Sequence, residues 1–123
     1  MRPVDQTTFG YPDGNCWSAC VASLLEMPVH EVPWFLGHDD WYAAFAAWLR
    51  PRGYYPVTVP WSEGWCPEGF YILGGRSPRH SHAVVAKGRE IVHDPHPSRE
   101  GLVTREDCTL LVPFDPASLR RVE

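Results

Sequence analysis

Residues 82–94 read HAVVAKGREIVHD, and this stretch predicts a β-hairpin. Two runs of strand-forming residues flank a turn-like Lys-Gly-Arg centred on Gly88. Folding the chain about Gly88 places His82 directly opposite Asp94. Directly opposite residues of an antiparallel pair point to the same face, with Cβ atoms about 4.5–5.5 Å apart. The sequence therefore predicts that the His82 and Asp94 side chains meet at the open end of the hairpin.

Outward from the hairpin, helical patterns come first in the chain and strand patterns follow. The spacing of small and apolar residues predicts a first helix over 16–27, with Asn15 as its N-cap and Pro28 as its stop. A second helix is predicted over 41–50, after an aspartate cap. The predicted strands are 54–59, 70–73, 82–86, 90–93 and 109–114. This order indicates an α+β fold, in which an N-terminal helix packs on a small antiparallel β-sheet.

Size and composition restrict the class of protein. The 123 residues are expected to form one domain over 1–123, and 44% hydrophobic with 21% charged residues is typical of a globular chain. A net charge of -4 without a Lys/Arg cluster argues against a nucleic-acid partner. The N-terminus lacks the apolar core of a signal peptide, and no apolar run approaches the roughly 20 residues of a membrane span. We therefore expect a cytoplasmic protein with no membrane partner and with reduced cysteines.

Cys16 stands at the expected start of the first helix, where a cysteine can act as a nucleophile. Free cysteine has a pKa of roughly 8.5, and the partial positive charge at a helix N-terminus favours the reactive thiolate. Unpaired N–H groups at the same place can stabilise an oxyanion beside the sulfur. Cysteine is also a common small core residue, so Cys16 alone does not decide between these interpretations. Cys20, one turn later, is expected to be buried.

His82 and Asp94 supply the two groups that such a nucleophile needs. A carboxylate that holds one imidazole nitrogen leaves the other nitrogen free to face a nucleophile. Taken singly, His82 suits a half-buried strand position and Asp94 suits a turn before Pro95. Together with Cys16 they provide a nucleophile, a general base and a group that orients the base. The combination predicts a catalytic triad.

Four segments of the chain resemble the papain-like cysteine peptidase superfamily in its compact bacterial forms, in particular the bacteriocin-processing C39-like peptidases. They are Gln6, GNCWSACVASLL at 14–25, HAVV at 82–85 and His93-Asp94-Pro95. The resemblance implies a papain-like fold, with His82 as general base and Asp94 as the third member of the triad. It also implies an oxyanion hole formed by the Gln6 side-chain amide and the Cys16 backbone N–H. Trp17 follows the nucleophile, where C39-like members usually carry glycine.

The activity implied by the resemblance is cleavage of an amide or peptide bond through a thioester, without a cofactor or metal ion. The substrate would be a peptide, a protein or a small amide, and an amine in place of water would make the enzyme an acyltransferase. Trp17 could form a wall of the substrate groove. Residues 74–79 are expected to form a loop that borders this groove, with Arg76 or Arg79 holding an acidic group or a C-terminal carboxylate. The phrase VHDPHPS is similar to phage and bacterial proteins, which favours a phage or mobile-element origin.

Two other interpretations stay open at the level of sequence. His80, His82, His93 and His96 lie near both ends of the hairpin, and imidazoles suit zinc, so a zinc hydrolase is one alternative. Their spacing matches no standard zinc motif such as HExxH. A non-catalytic binding module that keeps the papain-like fold is the other alternative.

Overall fold

The computed structural model describes residues 1–10 and 13–115. Within them two α-helices precede a five-stranded antiparallel sheet, which confirms the predicted α+β class. The α-helices are α1 (Cys16–Leu25) and α2 (Trp41–Leu49), and short 3₁₀ turns occupy Val29–Glu31, Phe35–Gly37 and Arg50–Arg52. The strands are β1 (Tyr54–Pro60), β2 (Phe70–Arg76), β3 (Ser81–Lys87), β4 (Glu90–His93) and β5 (Thr104–Pro113). None of the helices in this part of the chain has the length and apolar character needed to cross a membrane.

The strands lie in the order β1-β5-β2-β3-β4, and every neighbouring pair is antiparallel. The last strand, β5, therefore returns to the middle of the sheet and joins β1 to the β2–β3–β4 meander. β5 starts at Thr104, well before the predicted segment 109–114, because its first half pairs with the end of β2. For the same reason β2 continues to Arg76, through glycines that the sequence placed in a loop over 74–79.

Helix α1 begins at Cys16 as predicted, but the Asn15 side chain does not cap it. Asn15 Oδ1 instead accepts hydrogen bonds from the backbone N–H groups of Thr7 (2.9 Å) and Thr8 (3.0 Å). The amide thus holds the N-terminal segment beside the helix start, and the first N–H groups of α1 keep no side-chain partner from their cap. The helix ends before the predicted limit of 27 because Glu26 adopts a left-handed conformation, with φ of 57°.

Helix α2 is capped by an aspartate, as the sequence predicts. Asp40 Oδ1 accepts a hydrogen bond from the Ala43 backbone N–H at 3.3 Å, which satisfies one of the unpaired donors of the first turn. A 3₁₀ turn follows the helix, and Gly53 ends it with φ of 91°. The helix buries Phe45 and Leu49 completely, so its apolar residues belong to the main core.

The centre of the sheet is buried on both faces. Residues of α1 and α2 pack on one face, in an apolar cluster that includes Trp17, Val21, Phe45, Ile72 and Val85. The opposite face carries a second cluster of buried residues, Tyr71, Leu73, Val84, Ala86 and Cys108. Burial on both sides explains why the sequences of β2 and β3 are continuously apolar instead of alternating.

The β3–β4 hairpin forms, but its predicted register is wrong. The turn contains two residues instead of three, because Lys87 pairs with Glu90 and Gly88 has a φ of 60°. A positive φ in a two-residue turn matches the right-handed twist of the flanking strands, which makes this turn favourable. A bulge then shifts the register again within the hairpin. Asp94 therefore lies beyond the last paired residue of β4 and is not directly opposite His82.

Two glycines allow β2 and β5 to approach each other closely. The register of this strand pair shifts between Gly74 and Gly75. A Cβ atom at Gly75 would lie 1.9 Å from the Thr104 carbonyl oxygen, and one at Gly74 would lie 2.5 Å from Asp107 Oδ1. A side chain at position 75 would therefore push the two strands apart, whereas one at position 74 would displace a carboxylate.

We expect Gly75→Ala to lower the free energy of unfolding by about 2–3 kcal/mol, because a backbone oxygen cannot move aside without disturbing the ladder. Gly69→Ala is the matched control, since a Cβ there would meet no atom within 4 Å, and its effect should stay below about 1 kcal/mol. Urea denaturation followed by tryptophan fluorescence measures both variants. Equal stability of the two variants would contradict the close approach at the bulge.

Candidate active site

His82 and Asp94 form a buried contact between β3 and the loop after β4. The distance between His82 Nε2 and Asp94 Oδ1 is 2.7 Å, and each residue is only 6% exposed. The structure thus brings together the two side chains that the sequence predicted to meet, although not by direct cross-strand pairing. Asp94 reaches His82 from the loop, so the position of that loop decides whether the contact exists.

The Asp94 carboxylate is held in place by backbone donors as well as by the imidazole. Oδ1 also accepts the N–H of His96 at 2.9 Å, and Oδ2 accepts the N–H of Gly101 at 2.7 Å. Burial by itself raises the Asp94 pKa, but the hydrogen bonds from His82, His96 and Gly101 outweigh burial and lower that pKa below its usual value of 3.8. Asp94 is therefore a fixed carboxylate at neutral pH.

His82 carries a raised pKa for related reasons. Burial by itself lowers the His82 pKa, but the hydrogen bond to Asp94 and the adjacent Cys16 side chain outweigh burial and raise that pKa to about 9. The other ring nitrogen, Nδ1, is buried, and no described residue lies in hydrogen-bond geometry with it, although the Cys16 side chain is adjacent to the ring. The imidazole is thus oriented through one nitrogen, and its second nitrogen remains available on the side where Cys16 lies.

Cys16 occupies the first position of α1 and is partly exposed. It and His82 line the same groove, so the nucleophile and base that the sequence predicted come from distant parts of the chain to one place. Cys20 lies one turn further along α1 and is completely buried, and burial raises its pKa well above the usual value. All four cysteines are free thiols, and Cys16 is the one beside an imidazole.

The groove beside Cys16 has a volume of about 290 Å³ and lies between α2 and the sheet. Its aromatic and apolar walls come from Trp17, Leu36, Trp41 and Tyr42. Besides Cys16 and His82, its other lining residues all belong to strands of the sheet, namely Thr58, Gly74, Gly75, Ser81, Ala83, Glu106, Asp107 and Thr109. Tyr42 is hydrogen-bonded to Thr58 at 3.0 Å, and Thr58 to Thr109 at 2.8 Å. These bonds connect α2 to β1 and β5 across the groove.

Trp17 and Arg79 were both predicted to bind substrate, and the structure places them differently. Trp17 lines the groove, and its ring packs edge-to-face against Trp41 and Phe45. Arg79 does not line the groove; it is exposed and forms an ion pair with Glu100. Arg79 instead lines a small cleft together with His82, Asp94 and His96, so its role in substrate binding stays a prediction.

Gln6 was predicted to contribute to an oxyanion hole, and it is a buried residue in an otherwise exposed segment that contacts the loop of Asp94. Its backbone N–H donates to the Pro95 carbonyl at 3.1 Å, next to Asp94 in the chain. Its side-chain Nε2 donates to the Thr8 carbonyl at 2.9 Å, while Oε1 is buried and bonds to no residue in the described ranges. Gln6 is not among the residues that line the groove, so its role as an oxyanion donor stays a prediction.

Arg99 is a residue of this site that the sequence did not single out. Its guanidinium forms an ion pair with Asp5 and donates to the carbonyl oxygen of Asp94. It therefore ties the N-terminal segment to the loop that presents the Asp94 carboxylate. Arg99 and Gly101 both have positive φ, of 54° and 73°. In the sequence, the only local indication of this loop is a glycine and several polar residues after His-Asp-Pro. That pattern does not show that the loop surrounds the Asp94 carboxylate, so Arg99 could not be identified from it.

The histidines of the zinc alternative do not converge. The His93 Nε2–H donates to the Val4 carbonyl at 2.9 Å and lies 3.3 Å from the Asp5 carboxylate, so it faces the N-terminal segment. The rings of His80 and His96 each lie 6.3 Å from that of His82. Over residues 1–10 and 13–115, no three His, Cys, Asp or Glu side chains are arranged to hold a metal ion.

We expect the stability of the protein to fall between pH 6.5 and 9 because of His82. Its pKa rises from 6.5 in the unfolded chain to about 9 in the folded protein, so the folded protein holds the proton more tightly. The resulting stabilisation is fully present below pH 6.5 and is lost as the pH passes about 9, with an upper limit of about 3 kcal/mol. Urea denaturation at pH 6 and pH 9.5, under reducing conditions, measures the change.

His82→Gln is the control for this pH dependence, because all other titrating groups remain. The difference in unfolding free energy between wild type and His82→Gln should shrink at the higher pH. Parallel pH profiles for the two proteins would show that His82 has no raised pKa in the folded state.

Comparison with known proteins does not assign this chain to a family. No protein-family model, curated protein or solved structure matches it. The functional interpretation consequently depends on the geometry of Cys16, His82 and Asp94.

Proposed function

We propose that this protein is a cysteine hydrolase that cleaves an amide or peptide bond. The observation that supports the proposal is the orientation of His82. One ring nitrogen is bonded to Asp94 at 2.7 Å, and the other is buried, unpaired and beside Cys16 at the start of a helix. A nucleophile, a base and a group that orients the base are the minimum set for this chemistry.

In the first step the Cys16 thiolate attacks the carbonyl carbon of the substrate. The carbonyl π electrons move onto oxygen, and the resulting oxyanion lies near the N-terminus of α1. The backbone N–H of Cys16 and, in our proposal, the Gln6 amide donate hydrogen bonds to it. A single donor of this kind often contributes roughly 3 kcal/mol to transition-state stabilisation.

In the second step the tetrahedral intermediate collapses to a thioester. The carbon–nitrogen bond breaks, and the His82 imidazolium gives the proton of Nδ1 to the departing amine. Water then attacks the thioester while His82 accepts one of its protons, and the carbon–sulfur bond breaks to release the acid and restore Cys16. An amine that attacked in place of water would give a new amide, which is the acyltransferase outcome.

The architecture also supports a papain-like assignment. A helix that begins at the nucleophile packs against an antiparallel sheet, and that sheet carries the base at the start of a strand. The acidic partner comes from the loop after the next strand. This order of nucleophile, base and acid along the chain is the order that the resemblance implies, so the fold and the triad support the same proposal.

We expect iodoacetamide at pH 6 to alkylate Cys16 at least about tenfold faster than Cys66, because the His82 imidazole, whose pKa is raised to about 9, lies beside the Cys16 sulfur and carries a positive charge at this pH. Mass spectrometry of a digest, with time points, gives the rate at each cysteine. Cys20 is the internal control for folding, since it is completely buried and should stay unmodified in the native protein. Equal rates at Cys16 and Cys66 would exclude an activated nucleophile.

Two substitutions separate the roles within the triad. His82→Gln should remove most of the rate advantage of Cys16, because the charge partner is lost. Asp94→Asn should leave part of it, since the imidazole stays beside the sulfur but is less firmly oriented. The same variants and Cys16→Ala are then compared in a screen of fluorogenic peptides and small amides. Full turnover by Cys16→Ala would refute the proposed function.

A further inference from the structure

The groove beside Cys16 is acidic on the side formed by β5. Glu106 and Asp107 both line it, and its lining residues include neither lysine nor arginine. The two carboxylates therefore face no fixed positive charge from the groove itself, except for His82. The proposed chemistry uses neither Glu106 nor Asp107, so their presence in the groove requires a separate explanation.

Asp107 is held over a glycine, and its carboxylate has no partner among the residues that the structure describes. It pairs with Gly74 in the sheet, and its Oδ1 occupies the space where a Cβ of residue 74 would lie. The side chain is half-buried and makes no hydrogen bond or ion pair with any residue in the described part of the chain. Burial, and then the negative charge of Glu106, raise the Asp107 pKa above its usual value. A half-buried carboxylate without a partner is costly, and a bound cation would remove that cost.

Two further polar atoms of the groove residues also lack partners. His82 Nδ1 and Trp17 Nε1 are each buried and unpaired, and both residues line the groove and are less than a tenth exposed. Buried polar atoms are nearly always hydrogen-bonded in folded proteins. His82 Nδ1 is the nitrogen that the proposed chemistry uses beside Cys16, whereas the unpaired Trp17 N–H points to a ligand that brings a hydrogen-bond acceptor, such as a carbonyl of the substrate. This observation is independent of the acidic residues.

We propose that the groove binds a positively charged group of the substrate, an ammonium or a guanidinium, against the carboxylate of Asp107. The inference rests on the proposed function, because the same substrate presents its carbonyl to Cys16. Trp41 and Tyr42 form the aromatic wall of the groove, and aromatic faces attract cations. Glu106 adds a second negative charge at the exposed side. An anionic group in the same position would be repelled by both carboxylates.

The test uses three methanethiosulfonates that differ in charge: methyl, trimethylammonioethyl and sulfonatoethyl. Each transfers its thioalkyl group to a thiolate, forming a disulfide and releasing methanesulfinate. The modification rate of Cys16, divided by that of Cys66, is measured for each reagent by mass spectrometry. The ratio for the cationic reagent should exceed that for the anionic reagent on the order of tenfold, given two carboxylates at short range.

Charge-neutral variants identify the residue that causes the preference. Asp107→Asn should reduce the preference for the cationic reagent by at least about threefold. Glu106→Gln should also reduce this preference. This variant keeps the charge preference of the groove testable even if Asp107→Asn does not fold. Glu90→Gln removes an exposed carboxylate from β4, outside the groove, and should leave the preference unchanged. A preference that Asp107→Asn and Glu106→Gln both leave intact would overturn the proposal.

The neutral reagent separates this inference from the proposed function. Rapid modification of Cys16 by methyl methanethiosulfonate without any charge preference would overturn the cationic subsite and leave the hydrolase proposal standing. Slow modification by all three reagents would overturn the hydrolase proposal, and the subsite with it.

A second set of reagents distinguishes the two sources of a positive charge. The reagents are three acyloxymethyl ketones, which alkylate a cysteine nucleophile and differ only in the acyl group that they present. The three acyl groups are acetyl-lysyl, acetyl-norleucyl and norleucyl, and the last has a free amino group. Faster inactivation by the acetyl-lysyl reagent than by acetyl-norleucyl indicates a side-chain cation. Faster inactivation by the free-amino reagent indicates a substrate N-terminus. Equal rates for all three would contradict the proposal.

Discussion

The contact between the His82 imidazole and the Asp94 carboxylate constrains much of the molecule around it. Two polar groups that are almost completely buried are stable only if their hydrogen bonds are satisfied. Asp94 meets this condition through three donors, of which two are backbone N–H groups of its own loop. The loop in turn needs positive φ at Arg99 and Gly101, and the Arg99 side chain closes it against the N-terminal segment. The hydrogen bonds to Asp94 and the contacts of Arg99 together fix the position of the loop, and through Asp94 they fix the orientation of the His82 imidazole.

The N-terminal segment and the start of α1 depend on each other in a similar way. Asn15 would ordinarily cap the helix, but its side chain binds the backbone of Thr7 and Thr8 instead. Gln6 is joined to Pro95, so the same segment also contacts the loop that carries the carboxylate. The helix start consequently lies next to the imidazole without a side-chain cap, which is the arrangement that an oxyanion site needs.

The groove is a product of the sheet topology. Since β5 enters between β1 and β2, its first half lies beside the end of β2, where two glycines replace side chains. Gly75 permits the close backbone approach, and Gly74 leaves room for the Asp107 carboxylate. The acidic residues therefore reach the groove of Cys16 from a part of the chain with no sequence proximity to it.

The sequence by itself predicted the two helices, part or all of each of the five strands and the α+β class, and it singled out Cys16, His82 and Asp94 as candidate site residues. Helical spacing, strand composition and caps are local properties, which is why they can be recognised in one sequence. Only the tertiary structure decided the two-residue turn and bulge of the hairpin, the donors around Asp94, the ion pair of Arg79 with Glu100 and the place of Asp107. Each of these depends on pairing or packing between distant segments, because a shift of a single residue in register changes which side chains meet.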